Sequence, residues 1–492
     1  MSKLKVLMAS PEVVPFAKTG GLADVVGALP KELEKLDAEV KIILPKYKQM
    51  DVNKFKIKEA KAAFLFPVGS TMERGKLWYS NIGKNVQILL IENEKFFDRD
   101  GLYGTSAGDY PDNLKRFVFF SRGVLETIRL LDWKPDIIHC HDWQTAMIPT
   151  YLKTLYKEDE FFQGIKTVFT IHNLAYQGVF PPEQFVGTGL NWEEYNPDKL
   201  EFYNKINMLK AGLVYSDKLT TVSPQYSKEI QTPEFGCGLE GVLQARSEDL
   251  VGILNGIDYS IWSPGKDTSL PIKYTANQLK ISNKLKIKQH LLNLHNMPVE
   301  SAEKVPILGS ISRLADQKGY DLIAAALPML MNMDIRLIIL GTGDEKYHTL
   351  LSDLAKLYPE KIAVNLLFDE ELAHLIYAGT DMFLMPSKYE PCGLGQLIAL
   401  RYGNIPLVNP TGGLVDTVQD YNPETEEGNG FVMQNYSPEA LLDAISRGVN
   451  LYQDKEKWKK LMTKGMMLDF SWKASAEKYL ELYKSLLPAI EE

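Results

Sequence analysis

A lysine and a pair of glycines near the start of the chain form a pattern that can hold an anion. Lys18, Gly20 and Gly21 stand between the apolar run 6–9 and a stretch of helical period. Adjacent glycines let backbone N–H groups approach a phosphate closely, and the first turn of a helix favours negative charge. Lys18 adds a full positive charge. The spacing is also typical of an ordinary turn, because it matches neither the Walker loop nor G-x-G-x-x-G.

Two basic residues in the second half of the chain could hold the same kind of anion. Arg313 and Lys318 lie five residues apart, after the apolar run 307–311. Both could bind one diphosphate, the arginine through its planar fork and the lysine as a point charge. Two solvated basic residues beside a turn are the alternative interpretation.

Glycine-rich turns follow further apolar runs of the second half, at residues 341–344, 388–395 and 411–414. With the loop of Arg313 they make four such turns at successive predicted strand ends. Ligands of open parallel sheets bind outside the carboxyl ends of the strands. These turns therefore predict the floor of a phosphosugar site.

Imidazole and carboxyl side chains follow two predicted strands of the first half. His141 and Asp142 come after the run 137–139, and His172 comes after the run 167–171. A metal site is disfavoured, because His141 and Asp142 would point to opposite faces if the strand continued. His172 alone is compatible with a structural hydrogen bond as well as with catalysis.

The elements that must position these residues follow from the alternation of short apolar runs with amphipathic stretches, which is typical of parallel α/β layers. The predicted strands are 6–9, 40–44, 86–91, 137–139, 167–171, 219–222, 307–311, 337–340, 363–367, 382–385 and 406–408. One helix face after the first strand is predicted from Leu22, Val25, Val26, Leu29, Leu33 and Leu36. The fold class is therefore α/β, with two doubly wound parallel sheets.

A chain of 492 residues is too long for one ordinary core, so two domains are expected. Residues 262–275 carry prolines, a glycine and polar side chains, and they are the best linker candidate. The predicted domains are 1–262 and 263–471. A final helix over 472–492, able to cap either domain, is predicted from the apolar stripe Trp472, Ala476, Leu480, Tyr483 and Leu487.

Composition excludes several classes of function. The net charge of −8 argues against a nucleic-acid-binding protein. The cysteines Cys140, Cys237 and Cys392 are odd in number and widely spaced, which disfavours a disulfide framework or a zinc site. Cys392 is expected to pack as a small apolar residue. No apolar run reaches membrane-spanning length or resembles a signal peptide, so we expect a cytoplasmic protein without a membrane partner.

At these residues the chain resembles the bacterial glycogen synthase and plant starch synthase family. The shared motifs are 18–25 (KTGGLADV), 141–143 (HDW), 171–173 (IHN), 221–224 (TVSP), 236–241 (GCGLEG), 255–258 (NGID), 312–319 (SRLADQKG), 390–394 (EPCGL) and 411–414 (TGGL). They follow the family's order from residue 10 to beyond residue 417, and the first together with EPCGL is highly specific.

The resemblance implies a GT-B architecture, in which two Rossmann-like domains face a deep cleft and a C-terminal helix crosses back onto the first domain. It implies transfer of glucose from ADP-glucose to the non-reducing end of an α-1,4-glucan, glycogen or a maltooligosaccharide, with retention at the anomeric carbon. The implied mechanism is front-face attack, without a metal or a cofactor, since ADP-glucose is a substrate. The oligomeric state stays open.

The family's functional residues carry over to matching positions of this sequence. The implied catalytic residues are Asp142, His172, Arg313, Lys318 and Glu390. The implied substrate-binding residues are Lys18, Gly20, Gly21, Asp24, Tyr103, Asn173, Asn255, Gly343, Cys392, Gly393, Leu394, Gly395 and Thr411. Arg313 and Lys318 would neutralise the leaving diphosphate, and Glu390 would hold glucose hydroxyls.

In the first half of the chain, Lys18 with the Gly20 and Gly21 amides would contact the donor phosphates. His172 and Asn173 would lie at the glucose 6-hydroxyl. Asp142 would stand near the reaction centre on the acceptor side.

Four residues at three sites depart from the pattern of the family or of its wider clan. Gly395 stands where many relatives carry Thr or Asn, so only backbone donation is expected there. Asn409 and Pro410 stand where the family often has arginine, which leaves the choice between ADP-glucose and UDP-glucose open. Ile398 stands where the wider retaining clan has a second glutamate.

Three rival functions are weaker matches to the same residues. They are a transferase forming sucrose or trehalose phosphate, a phosphorylase, and a non-catalytic glucan-binding protein. The KTGGL start and the cysteine after Glu390 and Pro391 speak against the first. A phosphorylase would be a far longer chain, and the presence of the charged donor residues disfavours a protein without activity.

Overall fold

The computed structural model describes residues 3–488, which form two compact units. Unit 1 runs to Asn255 and resumes at Trp472, while unit 2 spans Gly256–Ser471. Unit 2 therefore begins before the boundary expected at residue 263.

The segment expected to be a linker is packed into unit 2. Trp262 stacks on His374, with ring centroids 4.2 Å apart. Asp267 is buried and bonds to the same imidazole at 2.7 Å. Tyr274 is also buried, and its hydroxyl donates to the Tyr402 carbonyl at 2.7 Å. The prolines and glycine of this segment thus shape an ordered part of the unit.

Most strands of unit 1 belong to one sheet. The strands of this unit are β1 (Lys5–Ala9), β2 (Glu39–Pro45), β3 (Lys58–Val68), β4 (Thr71–Ile82), β5 (Val86–Glu92), β6 (Gly104–Thr105), β7 (Gly108–Asp109), β8 (Ile137–His141), β9 (Lys166–Ile171), β10 (Val179–Phe180), β11 (Glu201–Phe202), β12 (Lys205–Asn207), β13 (Lys218–Thr221) and β14 (Leu250–Gly252). The order of the main sheet is β14-β13-β9-β8-β1-β2-β5-β4-β3. Pairing is parallel from β14 to β5. The point where the strand order reverses lies between β1 and β8, where doubly wound folds bind ligands.

The antiparallel hairpin of β3 and β4 was not predicted. It extends the sheet beyond β5, and Gly69, with φ of 59°, lies in its turn. Most side chains of β3 are exposed or half-buried. The hairpin therefore lacks the apolar run by which the buried strands were recognised.

Helices of unit 1 connect these strands. They are α1 (Gly21–Lys35), α2 (Glu94–Phe97), α3 (Asn113–Leu130), α4 (Met147–Lys153), α5 (Met208–Tyr215), α6 (Pro224–Glu229) and α7 (Glu240–Ala245). Five members of the predicted α1 face, from Leu22 to Leu33, are buried, while Leu36 lies just beyond the helix end. This face fixes α1, and with it the Gly20 turn at its start.

Unit 2 contains a second parallel sheet. Its strands are β15 (Ile307–Ile311), β16 (Arg336–Leu340), β17 (Ile362–Asn365), β18 (Met382–Met385), β19 (Ile405–Val408) and β20 (Phe431–Val432). The order is β17-β16-β15-β18-β19-β20, which is the 3-2-1-4-5-6 order of dinucleotide-binding folds. The reversal therefore lies between β15 and β18. β17 ends before residues 366 and 367, which were predicted to continue it.

Helices cover this sheet and carry an apolar core against it. They are α8 (Ile281–Leu294), α9 (Tyr320–Leu330), α10 (Glu345–Leu357), α11 (Glu370–Gly379), α12 (Gly395–Arg401), α13 (Gly413–Thr417), α14 (Pro438–Tyr452) and α15 (Lys455–Met467).

The last described helix, α16 (Trp472–Ser485), belongs to unit 1 and packs on α1. Tyr479 is buried, whereas Leu480 of the predicted stripe is half-buried. The Tyr483 hydroxyl lies 2.7 Å from His139 Nδ1, at the centre of the sheet. Residues 489–492 of the predicted helix lie outside the described residues.

Tyr483→Phe should destabilise unit 1 by about 1–3 kcal/mol, because it leaves a buried imidazole nitrogen without its partner. Denaturant unfolding of both proteins measures this difference. Tyr203→Phe is the matched control, since that side chain is 75% exposed. Equal losses in the two variants would contradict the anchoring role of Tyr483.

Candidate functional site

The predicted site residues of unit 1 gather at the reversal of its strand order. The loop from β1 to α1 carries Lys18, Gly20 and Gly21, Asp142 follows β8, and His172 follows β9. These three strands are neighbours in the sheet. Their carboxyl ends therefore meet at one edge.

A buried carboxylate that the sequence motifs did not single out organises this edge. Glu12 is 4% exposed, and it accepts hydrogen bonds from the Thr19 N–H, the Thr19 hydroxyl at 2.5 Å and the Gly20 N–H at 3.3 Å. The Tyr103 hydroxyl donates to it at 2.5 Å. The chain thus supplies its own anion beside the glycine pair, and the same anion fixes Tyr103. An acidic residue within an apolar stretch was the available signal.

Lys18 and Asp24, both predicted to bind substrate, bond to each other at 2.8 Å. The Lys18 side chain is 47% exposed, so it can exchange this partner for an incoming anion. Gly20 and Gly21 have open space where a side chain would begin. The backbone of the glycine pair is therefore accessible from that side.

Asp142 has a strained backbone. Its φ of 57° and ψ of 179° lie in a region that glycine alone adopts readily, at a cost of about 1–3 kcal/mol. Strain of this kind concentrates at functional sites. This backbone conformation ends β8 and turns the Asp142 side chain, so that its Oδ1 accepts the His172 N–H at 2.8 Å. The expected alternation of His141 and Asp142 is thus broken.

Burial raises the pKa of the Asp142 carboxyl to about 8, and the Glu12 carboxylate adds to this rise. The backbone hydrogen bond from His172 opposes it. The side chain is therefore largely protonated at neutral pH. It can donate a hydrogen bond, but it is a poor nucleophile in that state.

His172 is half-buried and contacts a pair of buried histidines. Its Nε2 lies 2.9 Å from Nδ1 of His141, whose ring packs against that of His139 at a tilt of 33°, with centroids 4.1 Å apart. Burial lowers the pKa of His172 to about 3. It also lowers the pKa of His139 to about 3 and that of His141 well below its usual value. His172 is thus an uncharged ring at neutral pH, and it interacts with its partners through hydrogen bonds.

The two asparagines of the predicted site differ in their contacts. Asn173 Oδ1 accepts the Ala175 N–H at 3.0 Å, which leaves its amide hydrogens for a ligand. Asn255 is 6% exposed, and within residues 3–488 its Oδ1 has no hydrogen-bond partner. Asn255 follows β14, at the end of the strand order far from β1. The structure therefore places it apart from Asp142 along the sheet.

In unit 2 the predicted charged residues meet where the strand order reverses. Lys318, after β15, donates to Glu390 Oε2, after β18, at 2.6 Å. The Ser387 hydroxyl donates to the same oxygen at 3.0 Å. Arg313 is exposed and donates to Gln317 Oε1 at 3.0 Å. Of the two cations predicted to bind the diphosphate, one is thus paired and the other is exposed to solvent.

Glycines allow the loops of this edge to touch. A side chain at Gly319, which has φ of 79°, would begin 2.1 Å from the Pro386 carbonyl oxygen. One at Gly412, which has φ of 46°, would begin 2.1 Å from the Glu390 carbonyl oxygen. The loops of Lys318, Glu390 and Thr411 are therefore held together by backbone contact that a larger residue would prevent.

The remaining predicted contacts of unit 2 line the same loops. Gly343 bridges to Leu314, and an added side chain would begin 2.3 Å from the Leu314 carbonyl oxygen. Cys392 is buried and Gly393 has φ of 70°. Thr411 is 3% exposed, and its hydroxyl has no hydrogen-bond partner in the described part of the chain.

Leu394 and Gly395 open α12 beside these loops. A side chain at Gly395 would begin 3.0 Å from Phe383 and 3.1 Å from the Met385 sulfur. Glycine at this position relieves this crowding.

An exposed aromatic ring at this edge was not predicted. Phe368 follows β17 and is 85% exposed. Gly341, which follows the neighbouring strand β16, donates to the Asn365 carbonyl at 3.0 Å, so the loops after these two strands are adjacent. An apolar ring this exposed is suited to stacking on a planar ligand. Phe368 directly follows the apolar run 363–367, so the sequence pattern does not distinguish it from a buried strand residue.

Asp142→Asn should stabilise the protein relative to wild type at pH 8, with a smaller gain at pH 5. A raised carboxyl pKa contributes stability that is present below the ordinary pKa and lost as pH rises through about 8. A pKa change of one corresponds to about 1.4 kcal/mol, so the free energies of stabilisation at the two pH values should differ by more than about 1 kcal/mol. Denaturant unfolding at both pH values measures them. The exposed Asp198→Asn should show no such pH dependence, and a flat result for Asp142→Asn would refute the assigned protonation.

Comparison with known proteins agrees with this arrangement. The family model described as starch synthase catalytic domain matches residues 5–245, and the model described as glycosyl transferases group 1 matches residues 295–464. The glycogen synthase of Geotalea daltonii is 49% identical over 98% of this chain and 99% of the relative. That of Fervidobacterium nodosum is 47% identical, with 98% of each chain covered.

Solved structures show the same fold. The catalytic domain of starch synthase IV from Arabidopsis thaliana, bound to ADP and acarbose, has a TM-score of 0.91 and 34% identity, with 99% of each chain covered. Sucrose-phosphate synthase from Thermosynechococcus elongatus, at 16% identity, covers 98% of this chain and 99% of its own with a TM-score of 0.61, a likeness of fold alone. The α/β fold class and its GT-B architecture are confirmed, and the chain belongs to the glycogen synthase and starch synthase family.

Proposed function

We propose that this chain transfers glucose from ADP-glucose to the non-reducing end of an α-1,4-glucan such as glycogen, with retention of configuration and without a metal. Membership of a family whose relatives are named glycogen synthase supports a glucosyltransferase acting on a glucan. The observation that carries the proposal is the junction of Lys318 and Glu390, with Arg313 exposed beside Lys318 in the same loop.

The diphosphate of the donor would be held by Arg313 and Lys318. Breaking the bond between sugar and diphosphate leaves negative charge on the departing oxygen, which preorganised cations stabilise. In the described structure Lys318 is paired with Glu390, whose side chain is 8% exposed. A bound diphosphate would draw the ammonium toward itself, and the Glu390 carboxylate would then be available to sugar hydroxyls.

The choice of ADP-glucose is supported by two observations. The Arabidopsis starch synthase IV catalytic domain, of similar fold, is bound to ADP. In this chain Phe368 offers an exposed ring near the glycine turn after β16, and a purine gives it a larger stacking surface than a pyrimidine does. UDP-glucose is the alternative donor.

The polar edge of unit 1 would serve the acceptor and the transferred sugar. His172 is neutral and Asp142 is largely protonated, so both can hydrogen-bond hydroxyls without placing a net charge beside them. Retaining hydrolases use a protonated carboxyl as general acid and an ionised carboxylate as nucleophile. A protonated Asp142 fits the nucleophile's role poorly, which favours front-face attack with the leaving phosphate accepting the acceptor's proton.

The chemistry proposed here needs no metal, because the positive charge comes from side chains. Among residues 3–488, no group of three His, Cys, Asp or Glu side chains is placed to hold a metal ion. Activity that survives exhaustive treatment with a chelator would support this part of the proposal. A loss restored by one divalent cation would overturn it.

The protein is proposed to work in the cytoplasm on dissolved donor and glucan. No helix in the range 3–488 has the length and apolar character needed to cross a bilayer.

Lys318→Ala should reduce turnover about 100-fold to 1,000-fold, since loss of one well-placed charge-stabilising donor has that effect. Lys318→Arg should also fail, because a planar fork does not replace a compact ammonium. Incorporation of labelled glucose into glycogen gives the rates. Lys356→Ala removes an exposed lysine of the same unit and is the matched control. Near-normal turnover in Lys318→Ala would refute the assignment.

Phe368→Ala should raise the KM for ADP-glucose about tenfold with little change in kcat, because stacking on a base contributes about 1–3 kcal/mol. Leu357→Ala, at a residue 67% exposed, controls for loss of exposed apolar surface. Parallel assays with UDP-glucose test the donor. Preference for UDP-glucose would correct the donor, and incorporation from neither would favour a glucan-binding protein.

A further inference from the structure

A cavity with a partly apolar wall lies in unit 2, at the amino end of β18, whereas the donor edge proposed above lies at its carboxyl end. It is bounded by α8, α14 and α15. Its polar lining consists of Lys284, Lys288, Asp381, Tyr452, Lys455 and Trp458, with Glu303 beside them. None of these residues has a role in the proposed reaction.

Two of the three lysines are held by the protein. Lys288 Nζ donates to the Val305 carbonyl at 2.7 Å, to Asp381 Oδ2 at 2.6 Å and to the Tyr452 hydroxyl at 2.9 Å, which uses all three hydrogens. Lys284 Nζ donates to the Ala378 carbonyl at 2.5 Å and to a second carbonyl at 3.2 Å. One hydrogen of Lys284 is therefore left for another acceptor.

Two further donors at this cavity are buried without acceptors. Lys455 Nζ lies 3.2 Å from the centroid of the Tyr452 ring, and no atom of residues 3–488 accepts a hydrogen bond from it. Trp458 is 2% exposed, and its indole N–H also lacks an acceptor in that range. Buried donors are rarely left unpaired in folded proteins. The two donors, one of them an ammonium that contacts only the face of an aromatic ring, can therefore take an acceptor that the chain itself does not provide.

The charged side chains around Lys455 carry more positive than negative charge, and one small anion would balance the difference. The cations are Lys284, Lys288 and Lys455, and the carboxylates are Asp381 and Glu303. Asp381 Oδ2 is already bonded to Lys288 and to the Ile307 N–H at 2.8 Å. Glu303 is exposed. The positive charge of Arg336, further away, adds to the positive electrostatic potential at Lys288.

The effect of burial on two of these lysines is consistent with an anion in the cavity. Burial lowers the pKa of Lys284 and of Lys455 to about 8 each, although the Asp381 carboxylate opposes the shift at both lysines. An anion in contact with both ammonium groups would oppose this effect and hold them protonated.

The size of the cavity limits its ligand. It encloses about 430 Å³ free of atoms, including its open mouth, and about 30 Å³ admits the centre of a water-sized sphere. The enclosed part thus holds about two water molecules. This volume suits a compact ion and excludes a nucleotide or an oligosaccharide.

We propose that this cavity is a binding site for inorganic phosphate, held by the Lys455 ammonium, the Trp458 indole N–H and the remaining hydrogen of Lys284. The site is distinct from the donor edge because it lies at the opposite end of the same parallel sheet. Binding there stabilises unit 2 through α8, α14 and α15, and it depends on neither the donor nor the glucan.

The thermal unfolding midpoint of the full chain in increasing phosphate, at ionic strength held constant with potassium chloride, tests this site. The midpoint should rise and saturate, by about 5 °C or more when phosphate is in large excess. Because phosphate can also bind Lys318, only part of the rise in the unfolding midpoint reports on this cavity. That part should be absent in Lys455→Met and retained in Lys318→Ala. Lys464→Met, on the exposed face of α15, is the matched control and should respond as wild type does.

Equal saturating rises in wild type and Lys455→Met would overturn the proposal. So would a rise without saturation, since the cavity then holds ordered water only. A Lys455-dependent response to glucose 1-phosphate, with none to inorganic phosphate, would overturn the identity of the ligand.

A second measurement uses the unaltered protein, in case Lys455→Met fails to fold. A small acylating reagent modifies lysines at rates that mass spectrometry resolves residue by residue. Saturating phosphate should slow modification of Lys455 at least several-fold and leave Lys464 unchanged. Equal rates at Lys455 with and without phosphate would contradict the site.

Discussion

Parallel pairing is the constraint on which both candidate edges depend. Backbone hydrogen bonds between parallel strands bring the carboxyl ends of neighbouring strands to the same edge of a sheet. In unit 2 this joins Lys318, after β15, to Glu390, after β18, although the two are 72 residues apart. In unit 1 it joins the Glu12 loop to Asp142 and His172. Each junction lies where the strand order reverses, because only there do the connecting helices diverge and leave a crevice.

The two edges handle charge in different ways. At the edge of unit 1, Asp142 and His172 carry little charge, since desolvation raises the pKa of Asp142 and lowers that of His172. Unit 2 keeps an ion pair, and removing one partner from a largely buried pair leaves the other uncompensated. The division matches a reaction in which a neutral glucan meets an anionic donor. It also explains why a chain with a net negative charge needs only a few local cations.

Much of this arrangement was predictable because buried parallel strands are continuous apolar runs. Eleven strands of the two sheets, and with them the loops of Lys318 and Glu390, were predicted from such runs, whereas the short strands β14 and β20 were not. The start of α1 was predicted from the helical spacing of its apolar residues. The β3–β4 hairpin was not predicted because its side chains are largely exposed. The linker was predicted at an ordered segment because Trp262 and Tyr274 pack through tertiary contacts that local composition does not reveal. Glu12 was not predicted for a similar reason, since the role of a single carboxylate is evident only once Thr19, Gly20 and Tyr103 are seen to donate hydrogen bonds to it.

The strain at Asp142 and the protonation states around it lay beyond sequence reasoning altogether. Both depend on how three strands end together and on how little water reaches that edge. The roles predicted for the site residues therefore remain predictions, whereas the placement of those residues at two strand edges is now a structural description.

The attachment of α16 to unit 1 has a consequence for how the chain is made. Tyr483 and His139 are 344 residues apart in sequence, and all of unit 2 is synthesised between them. At a synthesis rate of about 5–20 residues per second, the sheet of unit 1 waits on the order of tens of seconds for its last helix. During translation the surface of α1 that α16 contacts and the His139 ring stay uncovered on the ribosome, while unit 2 is already able to fold. The unit that begins first is thus completed last, and a nascent chain stalled before residue 472 presents an apolar surface to chaperones.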